Sequence, residues 1–239
     1  MTHREMTPGE ASAYLHVSRE DLDLLVRREE IPFERKGDRV VFRRSDIDAW
    51  ASQRLLGSSR ETLQRFHRKS SAKAHDLSKQ HAIIAELTRA DFIEPALACR
   101  TRSSVLREMV KLAERTGLLY DPADLLKSID ARERLCSTAL QGGIALLHPR
   151  SPSAYFSEDS FVLLGRTIQS IPFGAPDGST SDLFFLVCCQ DESLHLHVLA
   201  RLCMMGRDTD LIMALREADG ARSMYEILVR SEAEIVRGL

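Results

Sequence analysis

Three polar residues in the second half of the chain have the types that phosphoryl chemistry needs: Arg132, His148 and His195. His148 stands where the short apolar run Ile144-Ala145-Leu146-Leu147 stops, with Pro149 and Arg150 directly behind it. A ring at a strand end is held rigidly while one edge meets an incoming partner. A neutral imidazole is a competent nucleophile near pH 7, because its ordinary pKa is about 6.5. Arg132, in Arg-Glu-Arg-Leu-Cys-Ser-Thr, offers a forked, charged donor suited to phosphate oxygens. His195 falls in the first turn of a predicted helix, where the positive dipole end disfavours imidazolium and favours a bound anion. These types and positions suggest His148 as a phosphoryl acceptor assisted by Arg132 and His195, with Arg150 as a further candidate phosphate donor. His197 lies roughly 200° further round the same helix, so it is expected to pack rather than to act.

A zinc site built from Cys188, Cys189, His195 and His197 competes for the same stretch. No C-x-x-C pair supports it, and neither a metal nor a cofactor is expected. The five cysteines are an odd number, two of them adjacent in an apparent buried strand, which suits reduced thiols packed as small hydrophobes in a cytoplasm. Met1 to Glu10 is polar and carries no apolar run, and no stretch approaches the roughly 20 apolar residues of a membrane span. A cytoplasmic protein without membrane insertion is therefore expected.

The elements that must position these residues divide the chain into three. Lys and Arg against Asp and Glu give a net charge of −1 over residues 1–56, +3 over 57–91 and −4 over 92–239. The basic middle is the first place to look for an acidic partner. Within it, Arg65, Lys69 and Lys73 fall on one face of a predicted helix, which reads either as a phosphate-binding stripe or as a solvated linker face. Residues 92–239 alternate helices and strands. Arg102 to Thr116 and Asp121 to Leu135 show helical spacing, while Ile144–Leu147, Phe161–Leu164 and Leu183–Cys189 are continuous apolar runs suited to strands covered on both faces. Asp191 can cap the helix that carries His195. The expected class is α/β (α+β), a mixed sheet between helices, preceded by a small helical domain.

That small domain opens with Thr7-Pro8-Gly9-Glu10, a capping threonine with proline at the first helical position. Ser18 starts a second helix, Ile31-Pro32-Phe33 and Val40-Val41-Phe42 flank a turn as a hairpin, and Ser45 is expected to cap a helix carrying Ile47 and Trp50. On Thr7 to Leu15, Val17-Ser18-Arg19 and Phe42 to Trp50, the segment 6–55 resembles the excisionase-like, MerR-related winged helix-turn-helix domains. The resemblance implies DNA binding, with Ser18, Arg19, Arg27 and Arg28 at the major groove and Lys36, Arg39 and Arg43 on the wing. Glu20, Asp21, Asp23, Glu29 and Glu30 depart from it, since carboxylates on that surface repel phosphate. The alternative is a helix-turn-helix retained as a protein-interaction or dimerisation module, a homodimer being one such assembly.

The second half resembles the mannitol/fructose-type EIIA domain of the bacterial phosphoenolpyruvate-dependent phosphotransferase system, its nitrogen-regulatory branch in particular. The stretches that carry the resemblance are Arg132-Glu133 with Ser137-Thr138, Gly143-Ile144-Ala145 leading to His148, Ala175-Pro176-Asp177-Gly178, and His195-Leu196 with Leu199-Ala200. It implies that His148 takes a phosphoryl group from an HPr-type phosphocarrier, with Arg132 and His195 around it. The group then passes to an EIIB partner or stays as a regulatory signal. Many relatives have proline before the active histidine; here Leu147 precedes it and Pro149 follows. The expected function is a bacterial regulatory phosphocarrier, not a turnover enzyme, coupled to DNA binding. The alternatives are relay to an EIIB sugar-permease component and a non-phosphorylated scaffold.

Overall fold

The N-terminal helices begin at their capping residues. Thr7 Oγ1 accepts from the Glu10 amide at 3.3 Å while the Glu10 carboxylate accepts from the Thr7 amide at 2.7 Å, so α1 (Pro8–Tyr14) starts with two otherwise orphaned donors satisfied. Ser18 does the same for α2 (Arg19–Arg27), accepting from the Asp21 amide at 3.0 Å. β1 (Glu5–Met6), β2 (Glu34–Lys36) and β3 (Arg39–Arg43) form an antiparallel sheet in the order β1-β3-β2. The computed structural model describes residues 5–15, 17–37, 39–57, 82–150 and 156–237. The predicted basic stripe at Arg65, Lys69 and Lys73 lies outside them.

Two N-terminal expectations need correcting. The first hairpin strand is Glu34–Lys36 and not 31–33, because Ile31 is drawn into the core, leaving the turn at Gly37 (φ 60°) to set the register Lys36↔Arg39. Ser45 is no cap: α3 (Arg44–Gly57) runs straight on from β3, and Ser45 sits inside it with its hydroxyl donating to Asp46.

The C-terminal region runs α4 (Ile83–Leu87), β4 (Ile93–Leu97), α5 (Arg102–Arg115), α6 (Pro122–Leu135), β5 (Ile144–Leu147), β6 (Phe161–Pro172), β7 (Thr180–Cys188), α7 (Glu192–Met205), α8 (Thr209–Glu217) and α9 (Ala221–Arg237). Its sheet is mixed, as expected: the order is β4-β6-β7-β5, with β4 parallel to β6, β6 antiparallel to β7 and β5 parallel to β7. Alternate side chains leave opposite faces of the sheet. Ile144, Leu146, Val162, Leu183 and Phe185 pack in the cluster with α7, α8 and α9, whereas Ala145, Leu147, Phe161, Phe184 and Leu186 pack in the cluster with α5 and α6. Both faces are covered, which is why these strands read as unbroken apolar runs. The apolar cluster on the α7 side continues into Leu22, Phe42 and Ile47 of the N-terminal region, where α3 packs against α7. Among the described residues no helix is long and apolar enough to cross a membrane.

Candidate functional site

Every element around His148 is pinned before the ring is placed. Gly142 and Gly143 take φ of 86° and 91°, a left-handed turn that launches β5. A Cβ on Gly143 would land on the Arg216 guanidinium, which donates to the Gly142 carbonyl at 2.8 Å and to both Asp182 carboxylate oxygens at 2.7 Å. On the other flank, Thr138 donates its amide at 3.1 Å and its hydroxyl at 2.7 Å to buried Glu133 in the last turn of α6. The Thr138 carbonyl in turn accepts from the Leu146 amide at 3.1 Å. The end of α6, which carries Arg132, is thereby tied to the strand that delivers His148.

Even-numbered residues of β5 face α7, and His148 continues that alternation toward the first turns of α7. There Asp191 caps the helix, accepting from the Leu194 amide at 2.9 Å, and the His195 amide donates to the Asp191 carbonyl at 3.1 Å. The two rings lie with centroids 5.3 Å apart, tilted by 58°. Arg132 reaches in from the last turn of α6, where a cation suits the negative end of the helix dipole. Its Nε donates to His148 Nε2 at 3.0 Å and its Nη1 to the Cys136 carbonyl at 3.0 Å. The structure thus brings Arg132, His148 and His195 together, each no more than 2% exposed.

This geometry fixes the tautomer. A carbonyl can only accept and a guanidinium can only donate, so the 2.7 Å contact of His148 Nδ1 with the Leu146 carbonyl places the proton on Nδ1. Nε2 therefore presents its lone pair to Arg132. Burial, then the Arg132 charge and His195, hold the His148 pKa well below the ordinary imidazole range. Burial and Arg132 bring His195 down to about 3. Both rings are neutral at physiological pH. Among the described residues, Arg132 Nη2 and His195 Nδ1 in this buried centre have no hydrogen-bond partner. An unsatisfied buried donor on a guanidinium is costly unless an anion comes to it.

Arg150 is placed differently from the other three. Its amide donates to Ser128 Oγ at 3.1 Å, and its guanidinium points at Asp46 of α3, 3.6 Å away. His197 is packed at 1% exposure. In the N-terminal region, the basic residues proposed for DNA are largely engaged with carboxylates of the same region. Arg19 meets Asp23 at 3.3 Å, Arg28 meets Glu30 at 3.9 Å, Lys36 pairs with Glu5 and Arg43 with Glu34. Ser18 is used as the cap of its own helix. Arg27 and Arg39 are the remaining basic candidates on that surface.

Comparison with known proteins puts this geometry in context. The family description "Phosphoenolpyruvate-dependent sugar phosphotransferase system, EIIA 2" matches residues 86–231. The chain belongs to the EIIA 2 family. A helix-turn-helix domain matches residues 5–55. A nitrogen regulatory protein of Bradyrhizobium diazoefficiens is 32% identical to this EIIA chain over 148 residues, covering 61% of it and 94% of the relative. One from Pseudomonas aeruginosa is 28% identical over 131 residues, covering 54% and 83%. The crystal structure of nitrogen regulatory protein IIA-Ntr from Neisseria meningitidis matches with a TM-score of 0.56 at 26% identity, over 61% of this chain and 99% of that one. Mannitol IIA of Escherichia coli shares the fold at 18% identity, with a TM-score of 0.52 over 59% and 98%.

Several residues around the EIIA site escape sequence reasoning. Glu133 and Thr138 lie in a stretch that carries the family resemblance, but their clasp between α6 and the strand is not legible there. Arg44 meets Glu192 and Asp46 meets Arg150 across two distant parts of the chain, and nothing local in the sequence announces either meeting.

Proposed function

We propose that this EIIA-family protein accepts a phosphoryl group on His148 Nε2 from an HPr-type phosphocarrier and holds it as a regulatory signal. The observation that carries the reading is the buried Arg132 guanidinium, one donor on the His148 lone pair and another unused. Transfer needs in-line approach and donors for the equatorial oxygens. The carrier's N–P bond breaks as the bond from phosphorus to Nε2 forms, and the carrier leaves as neutral imidazole. His148 keeps its Nδ1 proton on the Leu146 carbonyl, so no proton has to move. Arg132 gives up Nε2 and places its fork on the phosphoryl oxygens, with His195 as a neutral neighbour at the dipole end of α7.

The test is incubation of the purified protein with phosphoenolpyruvate, Enzyme I and an HPr-type carrier, followed by mapping of acid-labile phosphate by mass spectrometry. Phosphate is expected on His148 and lost in His148→Ala. Phosphate on a different residue, or none while the same carrier labels a control EIIA, would remove His148 from this role.

Relay to an EIIB partner is the second reading, since one neighbour of this fold is a complex of mannitol IIA with phosphorylated IIB from Escherichia coli. The helix-turn-helix region packed on α7 beside His148 favours retention of the signal over onward transfer. Rapid passage of phosphate from His148 to a purified EIIB would reverse that preference.

A further inference from the structure

The N-terminal region touches the phosphoryl centre at two ion contacts, one beside each histidine. Arg150, two residues beyond His148, faces Asp46 of α3 at 3.6 Å. Glu192, the first residue of α7 and three residues before His195, is paired with Arg44 at the start of α3. Arg44 is itself fixed within the N-terminal region. Its Nε donates to Asp48 at 3.2 Å and its guanidinium lies 3.9 Å from the centroid of the Tyr14 ring, whose hydroxyl donates to the same Asp48 at 2.6 Å. Arg44 and Asp48 are poorly solvated, at 14% and 4% side-chain exposure, so their charges are screened less than those of Arg150, Asp46 and Glu192, which are exposed.

We propose, resting on phosphorylation of His148, that this contact is a phosphate-operated latch: charge placed on His148 releases the helix-turn-helix region from α7. The sign of the charges on each side carries the argument. Across the contact, Arg44, Asp46 and Asp48 bring a net −1 from the N-terminal side, while Arg132, Arg150 and Glu192 bring a net +1 around the histidines. Opposite charges hold the surfaces together. A phosphoryl group transferred to neutral His148, whose Nδ1 proton stays in place, adds about −1, which cancels the net +1 of the histidine side. The attraction between the two surfaces is then lost. The same group supplies Arg150 with a better acceptor than a single carboxylate oxygen 3.6 Å away, so Asp46 loses its partner as that attraction disappears.

Hydrogen exchange read by mass spectrometry on the full chain, before and after phosphorylation, tests the latch. Loss of one such ion contact raises local opening by up to about fivefold and loss of both by up to about thirtyfold, so amides of the first turns of α3 and α7 should exchange faster within those bounds. Reversing one charge supplies a signature that general loosening cannot mimic. In Asp46→Lys the N-terminal side becomes net positive, so exchange should start high without phosphate and fall on phosphorylation. Phosphate mapped to His148 with unchanged exchange in both elements would overturn the latch and leave the phosphoryl acceptor standing. A change of the same direction in wild type and Asp46→Lys would also overturn it. No phosphate on His148 would overturn both.

Discussion

In the proposed function His148 is an acceptor kept ready by desolvation. Its pKa is held well below the usual imidazole value by burial first, then by Arg132 and His195, so Nε2 keeps its lone pair across the physiological range. Phosphoryl acceptance should accordingly stay flat from pH 8 down to about pH 5.5, where a solvated imidazole near its ordinary pKa of about 6.5 would already have lost most of its nucleophilic form. A titration of the initial labelling rate under saturating carrier checks this, and a fall centred near pH 6.5 in a pH-insensitive donor system would contradict it. The same depression carries a stability consequence. Both histidines have folded pKa values below the unfolded one, so below about pH 6.5 the unfolded chain binds protons that the native site refuses. Their contribution is present in full above that pH and is lost as the pH falls, by about 1.4 kcal/mol per pH unit for each ring, down to about 3 for His195. His195→Gln should therefore lose less stability than wild type between pH 6.5 and 5, measured as the difference in urea midpoints. Arg132 is the remaining residue of the centre. Arg132→Gln should slow phosphoryl acceptance by roughly 100- to 1000-fold, the usual cost of removing a buried donor aimed at developing charge.

At the scale of elements, the placement of His148 depends on two joints. One is the Glu133–Thr138 clasp between α6 and the strand; the other is the Gly142-Gly143 turn under Arg216. Gly143→Ala would strain a φ of 91° and press a methyl group onto the Arg216 fork and Asp182. A loss of about 2 kcal/mol or more in chemical denaturation is expected, together with slower labelling of His148. Unchanged stability would mean the turn relaxes without disturbing the clasp. Much of this was legible in the sequence. Thr7, Ser18 and Asp191 cap helices where their types and spacing predict, and unbroken apolar runs mark β5, β6 and β7 because the sheet is covered on both faces. Other features were hidden for identifiable reasons. β4 contains Pro95, which reads against a strand, but β4 is an edge strand where a missing amide costs little. β1 spans only two residues and shows no period. The first hairpin strand slipped from residues 31–33 to 34–36 because Ile31 was claimed by the core. Convergence of Arg132, His148 and His195 was anticipated from residue type and family resemblance; periodicity alone would not have joined them.

For the whole molecule, the question is what the helix-turn-helix region contributes beyond its contact with α7. Six basic residues were candidates for phosphate contact, and four of them, Arg19, Arg28, Lys36 and Arg43, are paired with carboxylates of the same region. Each such surface pair is worth only about 0–1 kcal/mol, so a nucleic-acid phosphate can displace it. Displacement nevertheless leaves the carboxylate beside the phosphate, and the net gain in neutralised charge is small. Among the described residues, Arg27 and Arg39 are the candidates without an ion pair. Binding to duplex DNA releases about 0.9 counterion per neutralised phosphate, so two effective contacts predict a slope of about −2 in log affinity against log salt, and six would give about −5. Fluorescence anisotropy with a duplex of mixed sequence between 50 and 200 mM salt separates the cases. A slope near −2 fits a surface whose basic residues stay with the domain's own carboxylates. A slope near −5 would show that the ion pairs open on DNA. Phosphorylation of His148 would then act by freeing an already competent reader, because the charge change at α3 lies on the contact with α7 and leaves the basic residues of α2 and the wing as they are.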